Sequence, residues 1–259
     1  MQRSRYATTL TEPRTITLEG LRNFRDIGGY TTRSGRTVHR GLLFRSDGQD
    51  ALTHRDADRL MDDLHIGAVI DVRSTEELHR FGPSLLVGRD VPMFHIPIVD
   101  GSQQFWANDD QKITSVYLSI LDEAGARFAA TLELLAELDV PTTIHGAAGK
   151  DRTGLVAALL LSVLGVGDRG IGSDYAKSAQ AMPAMAERYD LESRRNPWRP
   201  ADERPMHRAL ATEMQSAKAA TITTAMMVLR VEHGSVEKWL VHNGLDASVC
   251  PALRHRFLR

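Results

Sequence analysis

The sequence predicts an α/β fold in which a central, mostly parallel sheet is flanked by helices. Short runs rich in β-forming residues alternate with segments of helical periodicity, and the clearest run, Gly67 to Val72, is apolar up to Asp71 near its end. The chain has 259 residues, enough for one large domain with a buried core. We expect residues 1–14 to be a flexible N-terminus and residues 15–259 to form a single domain.

The predicted elements follow in order along the chain. Leu42 to Arg45 predicts a strand, and Thr53 to Leu64 predicts a helix that Thr53 can cap. Gly67 to Val72 is the next strand, and Phe94 to Ile98 is a shorter one whose proline suits an edge position. The remaining predicted elements are a strand over Thr142–His145 and helices over Ala126–Leu138, Arg152–Leu164, Thr221–His233 and Ser235–Asn243.

The composition excludes several classes of function. With 32 basic and 33 acidic residues, the chain has no global field that would recruit nucleic acid or an anionic membrane. The single cysteine, Cys250, excludes an internal disulfide framework and a cysteine-rich zinc site. The histidines show no metal-ligand spacing, so we expect no metal and no cofactor. We see neither a signal peptide nor a transmembrane segment, and we expect a cytoplasmic protein of undetermined oligomeric state.

The most informative segment joins the strand Thr142–His145 to the helix that begins at Arg152. At a helix N-terminus the first backbone N–H groups lack partners and the helix dipole is positive, so this junction suits an oxyanion such as phosphate. Small side chains keep the concavity open, and the planar guanidinium of Arg152 can bind two phosphate oxygens. The predicted phosphate-binding residues are Ala147, Ala148, Gly149, Lys150, Asp151 and Arg152.

Two other phosphate loops are excluded by spacing. A Walker A loop needs Ser or Thr after its lysine, but Asp151 follows Lys150. A dinucleotide-binding loop needs a glycine spacing that Gly146 and Gly149 do not provide. Instead, the segment from His145 to Gly154 resembles the active-site loop of cysteine-dependent tyrosine phosphatases, in the form H-C-x-x-G-K-D-R-T-G of a bacterial branch.

The resemblance extends over most of the chain, about Thr15 to Leu245. The matching segments outside the loop are Asn23–Tyr30, Phe44–Ser46, Ile70–Ser74 with Glu77, Asp174–Tyr175 and Gly234–Glu237. It implies a tyrosine-phosphatase-like fold and a phosphate-monoester ligand: a phosphotyrosine protein, a phosphoinositide or a small phosphorylated metabolite. Relatives are secreted without a recognisable signal, which leaves that location open.

One position departs from the family pattern. The resemblance places the nucleophilic cysteine at Gly146, and a glycine cannot form the phosphocysteine intermediate. Losing a catalytic nucleophile costs on the order of a million-fold in rate in a well-studied protease. We therefore expect the chain to bind phosphate monoesters without hydrolysing them by the family mechanism, as a pseudophosphatase or an inactivated phosphatase. The alternative is a lyase or isomerase that holds a phosphate in this pocket, with Asp151 as acid or base.

The other loop residues have open assignments. The resemblance implies that Asp151 is a general acid, but it could equally cap free amides at the helix N-terminus. Lys150 either adds positive charge to the pocket rim or is solvated. We expect His145 to hydrogen-bond the backbone that shapes the loop and Thr153 to turn its hydroxyl into it.

Supporting roles are expected further from the loop. Asp26 and Arg25, with the glycine pair that follows them, should buttress the pocket through a turn. Asp71 and Arg73 lie where an α/β fold places ligand sites, although an ion pair that orders nearby loops explains them equally well. Cys250 should be a partly buried, inert thiol.

A separate segment, Glu187 to Arg208, is rich in arginine and proline. It contains six arginines and three prolines. One interpretation is a solvated surface excursion whose charges are balanced by nearby carboxylates. The other is a helical, lid-like insertion near residues 183–210 that brings arginines toward an anionic ligand.

Overall fold

A five-stranded sheet lies at the centre of the fold in the computed structural model. The structure describes residues 13–100, 113–195 and 216–259, except for the side chains of residues 189–195. Its strands are β1 (Arg25–Asp26), β2 (Leu43–Ser46), β3 (Ala68–Asp71), β4 (Met93–His95) and β5 (Thr142–His145). The spatial order is β1-β2-β5-β3-β4; β1 is antiparallel to β2, and all other neighbours are parallel. The predicted fold class, a mostly parallel sheet flanked by helices, is confirmed.

Helices connect the strands and cover the sheet. Their bounds are α1 (His54–Asp58), α2 (Thr75–Phe81), α3 (Ile113–Glu137), α4 (Arg152–Val163), α5 (Asp168–Ala176), α6 (Met182–Arg195), α7 (Ala219–His233), α8 (Val236–His242) and α9 (Val249–Phe257). The helix predicted from Thr53 is capped by that residue and continues past α1 as a wider turn over Arg59–Asp63. Strand β4 lies at the sheet edge and ends at His95, before Pro97, as the proline led us to expect.

Local capping explains where several helices begin. Thr53 and Asp56 form a capping box at α1, and Ser74 and Glu77 form another at α2. Ser235 accepts a hydrogen bond from the first turn of α8, as the sequence predicted. These side chains satisfy backbone N–H groups that a helix leaves without internal partners.

Two predictions about helices were incomplete. Helix α3 begins at Ile113 rather than Ala126, because an apolar face that includes Tyr117 and Ile120 extends the periodicity across a non-helical residue, Ala124. Helices α2, α5 and α9 were not predicted. Each has at most nine residues, too few for periodicity alone to distinguish a helix from a loop.

The core lies on both faces of the sheet because side chains alternate along each strand. Leu43 and Ile70 pack into a large cluster with α3, α4 and the C-terminal helices. Their neighbours Phe44 and Val69 pack into a second cluster with the N-terminal segment and α1. Helix α4 is apolar nearly all round and therefore buried along most of its length, which fixes the direction of its N-terminus.

Two expectations concern segments at the limits of the structure. The predicted lid near 183–210 begins as helix α6, whereas residues 196–215 lie outside the described residues, as do residues 1–12 of the predicted flexible N-terminus. Across the ranges that the structure does describe, no helix is both long enough and apolar enough to cross a bilayer.

Candidate functional site

The candidate site lies where three parallel strands end together. In the sheet register Ser46 at the end of β2 and Asp71 at the end of β3 are both aligned with His145 at the end of β5. The chain then passes through residues 146–151 and enters α4 at Arg152. The carboxyl edge of a parallel sheet thus faces a helix N-terminus, the arrangement expected from the sequence.

The loop is held by hydrogen bonds to its carbonyl oxygens. Each of the four consecutive carbonyls from Ala147 to Lys150 accepts a hydrogen bond from outside the loop. The donors are the Gly48 amide to Ala147 (2.8 Å), Asn23 Nδ2 to Ala148 (2.9 Å), and Arg45 Nη2 to Gly149 (2.6 Å) and Lys150 (3.3 Å). All four carbonyl oxygens are therefore fixed on the outer side of the loop.

This anchoring orients the loop amides. In a planar trans peptide the N–H points away from the preceding carbonyl, so the amides of residues 148–151 face the opposite, inner side. The N–H groups of Ala148, Gly149 and Asp151 donate to no other group within the described ranges. Gly149 has a φ of +66°, and a Cβ there would lie 2.3 Å from the Ser46 carbonyl oxygen, so the turn requires glycine. Convergent N–H groups of this kind form an anion-binding concavity.

A buried ion network supports Arg45. Asp174 lies between two arginines, 2.6 Å from Arg45 Nη1 and 3.1 Å from Arg25 Nε, and all three side chains are at most 2% exposed. Burial alone would raise the pKa of Asp174, but the two guanidinium groups outweigh it and hold the pKa at about 2. Burial lowers the pKa of Arg45 to about 10, which leaves it charged at neutral pH.

Arg152 is oriented by a carboxylate. Its Nη1 and Nη2 donate to the two carboxylate oxygens of Glu77 at 2.6 and 2.7 Å, and both side chains are partly buried. Burial would raise the pKa of Glu77, but Arg152 lowers it overall. The bidentate contact uses two of the five N–H donors of Arg152 and fixes the plane of its guanidinium at the start of α4.

Asp151 does not cap α4, which corrects one of its two expected roles. Its side chain makes no capping hydrogen bond. Instead, Oδ1 accepts from the Tyr117 hydroxyl at 2.5 Å and lies 3.1 Å from Lys150 Nζ. Burial raises the pKa of Tyr117 well above its ordinary value, so Tyr117 keeps its proton. Because that proton is used on Asp151, the hydroxyl of Tyr175 is the donor in the Tyr117–Tyr175 hydrogen bond.

Lys150 is not solvated, contrary to one interpretation of the sequence. Its side chain is 1% exposed, and Nζ donates to the Ser216 carbonyl at 3.3 Å in addition to its contact with Asp151. The side chain therefore packs behind the loop, where its charge is compensated by Asp151. Residue types alone did not indicate this, because Ser216 is distant in sequence.

Thr153 faces the position of the missing side chain. A Cβ built at Gly146 would lie 2.9 Å from Thr153 Oγ1 and 3.6 Å from Val72 Cγ2. Thr153 is 1% exposed, and Oγ1 has no hydrogen-bond partner in the part of the chain that is described. The expectation that its hydroxyl turns toward the loop agrees with this placement, and the orphaned oxygen marks the environment of Gly146 as polar on one side.

His145 interacts with the backbone of Gly146, the first loop residue, as expected, although not at regular hydrogen-bond geometry. Neither ring nitrogen meets hydrogen-bond geometry with any described residue, and Nε2 lies 3.7 Å from Asp71 Oδ2. His145 ends the central strand of the sheet, with a neighbouring strand on each side, and its ring is fully buried. Burial lowers the pKa of His145 to about 4, opposed by Asp71 and by the Gly146 backbone and aided by the charge of Arg73.

This low pKa predicts a pH dependence of stability. Between about pH 6.5 and 4, the unfolded chain binds a proton at His145 that the native protein excludes, so stability is present above this range and falls as the pH drops through it. We expect His145 to contribute a loss of roughly 2–3 kcal/mol in the free energy of unfolding between pH 7.5 and 4.5. Urea denaturation of wild type and His145→Gln at both pH values measures the difference.

An exposed histidine provides the control for this titration. His255→Gln should keep the wild-type pH dependence, because that residue is exposed. Equal pH dependence in wild type and His145→Gln would contradict the assignment.

Asp71 and Arg73 form the ion pair that was one of their two interpretations. Arg73 Nη2 lies 2.7 Å from Asp71 Oδ2, and the same guanidinium reaches Asp50 and the Gly82 carbonyl. Both side chains are essentially inaccessible. The pair therefore ties the end of β3 to the loop after β2 and the end of α2; a direct contact with a ligand stays a prediction.

Asp26 holds the glycine turn, as expected, but its hydrogen bonds do not reach the loop. Its carboxylate accepts from the amides of Gly28 and Gly41 and from Arg40 Nε, and no described loop residue contacts it. Adjacent residues on a strand point to opposite faces, so Arg25 reaches Asp174 on the loop side while Asp26 holds the glycine turn on the other. Arg25, and not Asp26, is the residue of this pair that supports the site.

Helix α6 packs against the outer wall of the loop. Ala148 contacts a small apolar cluster formed by Ala181, Met182 and Met185. Further along α6, Arg188 pairs with Asp50, which also pairs with Arg73. The start of the arginine-rich segment is thus a helix next to the site rather than a solvated excursion.

Cys250 lies in α9 and is buried, as expected. Burial raises the pKa of its thiol, which disfavours the reactive thiolate.

Several residues that build the site had no assigned role in the sequence. They are Asn23, Arg45, Glu77, Tyr117 and Asp174. One signal was present, since an arginine inside an apolar strand such as Phe44–Arg45 must have a buried partner.

Comparison with known proteins gives a consistent result. The tyrosine phosphatase family pattern matches residues 16–259. The chain is 25% identical over 255 residues to a Cupriavidus necator protein named as an inferred tyrosine-protein phosphatase, covering 93% of this chain and 87% of that one. It is 31% identical over 205 residues to the triple specificity protein phosphatase PtpB of Mycobacterium tuberculosis, covering 66% and 71%. Among solved structures, the Siw14 catalytic core matches with a TM-score of 0.41 and 14% identity, covering 72% of this chain and 98% of that one.

Proposed function

Because the chain belongs to the tyrosine phosphatase family, we propose that its loop from Gly146 to Arg152 binds phosphate monoesters. The observation that supports this most directly is the outward anchoring of four consecutive carbonyls, which turns the following amides toward one concavity. A phosphate dianion placed there meets several N–H donors, the positive end of the α4 dipole and the guanidinium of Arg152.

Hydrolysis by the family mechanism is not part of the proposal. That route needs a thiolate at the position of Gly146, and Cys250 is a buried thiol on another helix. Binding does not need the thiolate. At an effective dielectric near 20, a thiolate 4 Å from a phosphate charge would oppose it by roughly 4 kcal/mol. The chain is therefore proposed to be a pseudophosphatase that retains phosphate recognition.

The alternative function, a lyase or isomerase, would use Asp151 as acid or base. Its Oδ1 already accepts from Tyr117 and lies next to Lys150 Nζ. These contacts favour a fixed carboxylate over a mobile proton donor, so they support phosphate binding more than proton transfer.

Thermal denaturation tests the proposal. At a concentration about 100-fold above Kd, inorganic phosphate or phenyl phosphate should stabilise the protein by about 2.7 kcal/mol. For a chain of this size that corresponds to a rise of about 5–10 °C in Tm. Arg152→Ala should remove most of this rise, because it deletes the guanidinium fork at the loop.

The control for this test keeps the charge of residue 152. Arg152→Lys should retain part of the rise, since a lysine supplies a point charge without the fork. Chloride at equal ionic strength should leave the Tm of all variants nearly unchanged. Equal Tm values with and without both phosphates in the wild-type protein would refute the proposed function.

A further inference from the structure

A cavity separate from the candidate site lies at the opposite end of α4 from the phosphate loop. It has a volume of about 310 Å³, and its floor is the segment from Ser162 to Val166, where α4 ends. Helix α4 runs from Arg152 to Val163, about 18 Å at 1.5 Å per residue. The cavity is therefore well separated from the loop.

Arginines dominate the charged lining of this cavity. Arg33 and Arg36 come from the turn that follows Tyr30, while Arg230 comes from α7 and Arg254 from α9. Glu237 is the one carboxylate among the lining residues. Four guanidinium groups face Glu237 in the lining and Asp168 beside it, which leaves a local excess of positive charge on a chain whose net charge is −1.

Two of these arginines are fixed in place. Arg230 makes a bidentate contact with Asp168 at 2.9 and 2.8 Å. Arg254 Nε donates to the Val163 carbonyl at 2.9 Å, and its Nη2 pairs with Glu237. Each contact holds a guanidinium at the wall without using all five of its donors.

The other two arginines have no carboxylate. Within the described ranges, neither Arg33 nor Arg36 forms an ion pair, and the side-chain contact of Arg36 is a weak one, 3.5 Å from Nε to Ser34 Oγ. Among the described residues, no carboxylate therefore compensates these two charges in the lining of the cavity. The hydroxyl of Ser162 at the floor also has no hydrogen-bond partner among the described residues.

We propose that this cavity is a second anion site, which binds a small ligand with more than one phosphate-type group. Paired guanidinium groups bind such oxyanions through two parallel N–H donors each. The ligand would supply the negative charge that Arg33 and Arg36 lack among the described residues. The cavity volume restricts it to a small molecule. The site does not depend on the phosphate loop.

Calorimetric titration with inorganic pyrophosphate at low salt tests the inference. Wild-type protein should bind two pyrophosphates. Arg33→Ala/Arg36→Ala should weaken binding in the cavity at least tenfold and leave binding at the loop unchanged. Arg152→Ala should weaken binding at the loop and leave binding in the cavity unchanged. The control Arg55→Ala/Arg89→Ala also removes two positive charges, but neither residue lines the cavity, so both binding events should persist.

The possible outcomes separate this inference from the proposed function. If Arg33→Ala/Arg36→Ala binds pyrophosphate as the wild type does, or if the control loses the same event, the second site is disproved. If instead Arg152→Ala has no effect while the cavity variant loses binding, the second site stands and the loop proposal fails. Arg33 and Arg36 are exposed, so the unliganded Tm of their variant should stay close to that of the wild type.

Discussion

The Gly146→Cys variant is expected to hydrolyse p-nitrophenyl phosphate on the order of 10⁴- to 10⁶-fold faster than the wild-type chain. This range spans the losses, about 3 × 10⁴ to 2 × 10⁶, that follow the removal of single catalytic-triad residues from a protease, with the nucleophile at the upper end. The new thiol would lie at the N-terminus of α4, where the helix dipole and the inward amides favour its thiolate form. Arg152 would then hold the phosphate against it.

The backbone accepts a side chain at this position. The φ of Gly146 is not in the left-handed region, unlike that of Gly149. The nearest obstacle to a Cβ is a side-chain atom rather than backbone, Thr153 Oγ1 at 2.9 Å, so Thr153 must shift slightly to admit the new side chain. The same hydroxyl could donate to the thiolate, so the substitution would also give this orphaned oxygen a partner.

Two variants control for the thiol. Gly146→Ser has nearly the same volume without a comparable nucleophile and should stay inactive, and Gly146→Cys/Arg152→Ala should lose most of the gain. Steady-state release of p-nitrophenol measures all three. A folded Gly146→Cys protein that binds phosphate but turns over no faster than Gly146→Ser would show that more than the nucleophile is missing.

Asp174→Asn is expected to lower the free energy of unfolding by about 3–5 kcal/mol, the cost of leaving a buried charge without its partner. The substitution removes the charge that compensates both Arg25 and Arg45, which are almost fully buried. Because Arg45 also holds the Gly149 and Lys150 carbonyls, the variant should lose the stabilisation by phosphate as well. Urea denaturation with and without phosphate measures both effects.

An exposed ion pair provides the comparison. Asp58 pairs with Arg89 on the surface, and its side chain is 58% exposed. Asp58→Asn should therefore change the free energy of unfolding by about 1 kcal/mol or less. If Asp174→Asn and Asp58→Asn had similar urea midpoints, the buried network would not be the support that its geometry indicates.

The sequence predicted the fold well where the signal is local. The strands Ala68–Asp71 and Thr142–His145 are short apolar or β-branched runs, and the capped helices at Thr53 and Ser235 begin where expected. Helix α2 was missed although Ser74 and Glu77 form a capping box, because seven residues show almost no periodicity.

The site was predicted less completely, for a different physical reason. The loop residues form a contiguous motif, whereas the groups that shape them come from distant segments: Asn23 lies 125 positions from Ala148, and Arg45 lies 129 positions from Asp174. A single sequence contains no information on which buried charges meet. The alternatives that the sequence left open for Asp151 and Lys150 are of this kind, since each concerned a partner rather than a residue type.

The hydrogen bonds that hold the loop carbonyls explain how the protein can keep its affinity for phosphate after catalysis is lost. Their donors come from two separate segments that the core already holds rigid, the residues before β1 and the end of β2, so the entropy of ordering the loop is lost when the chain folds and not when a ligand arrives. None of these donors touches the side-chain position of residue 146. A single change at that position can therefore abolish turnover while the preorganised receptor is kept, and binding should be driven by enthalpy, with little change in loop motion between the free and bound states.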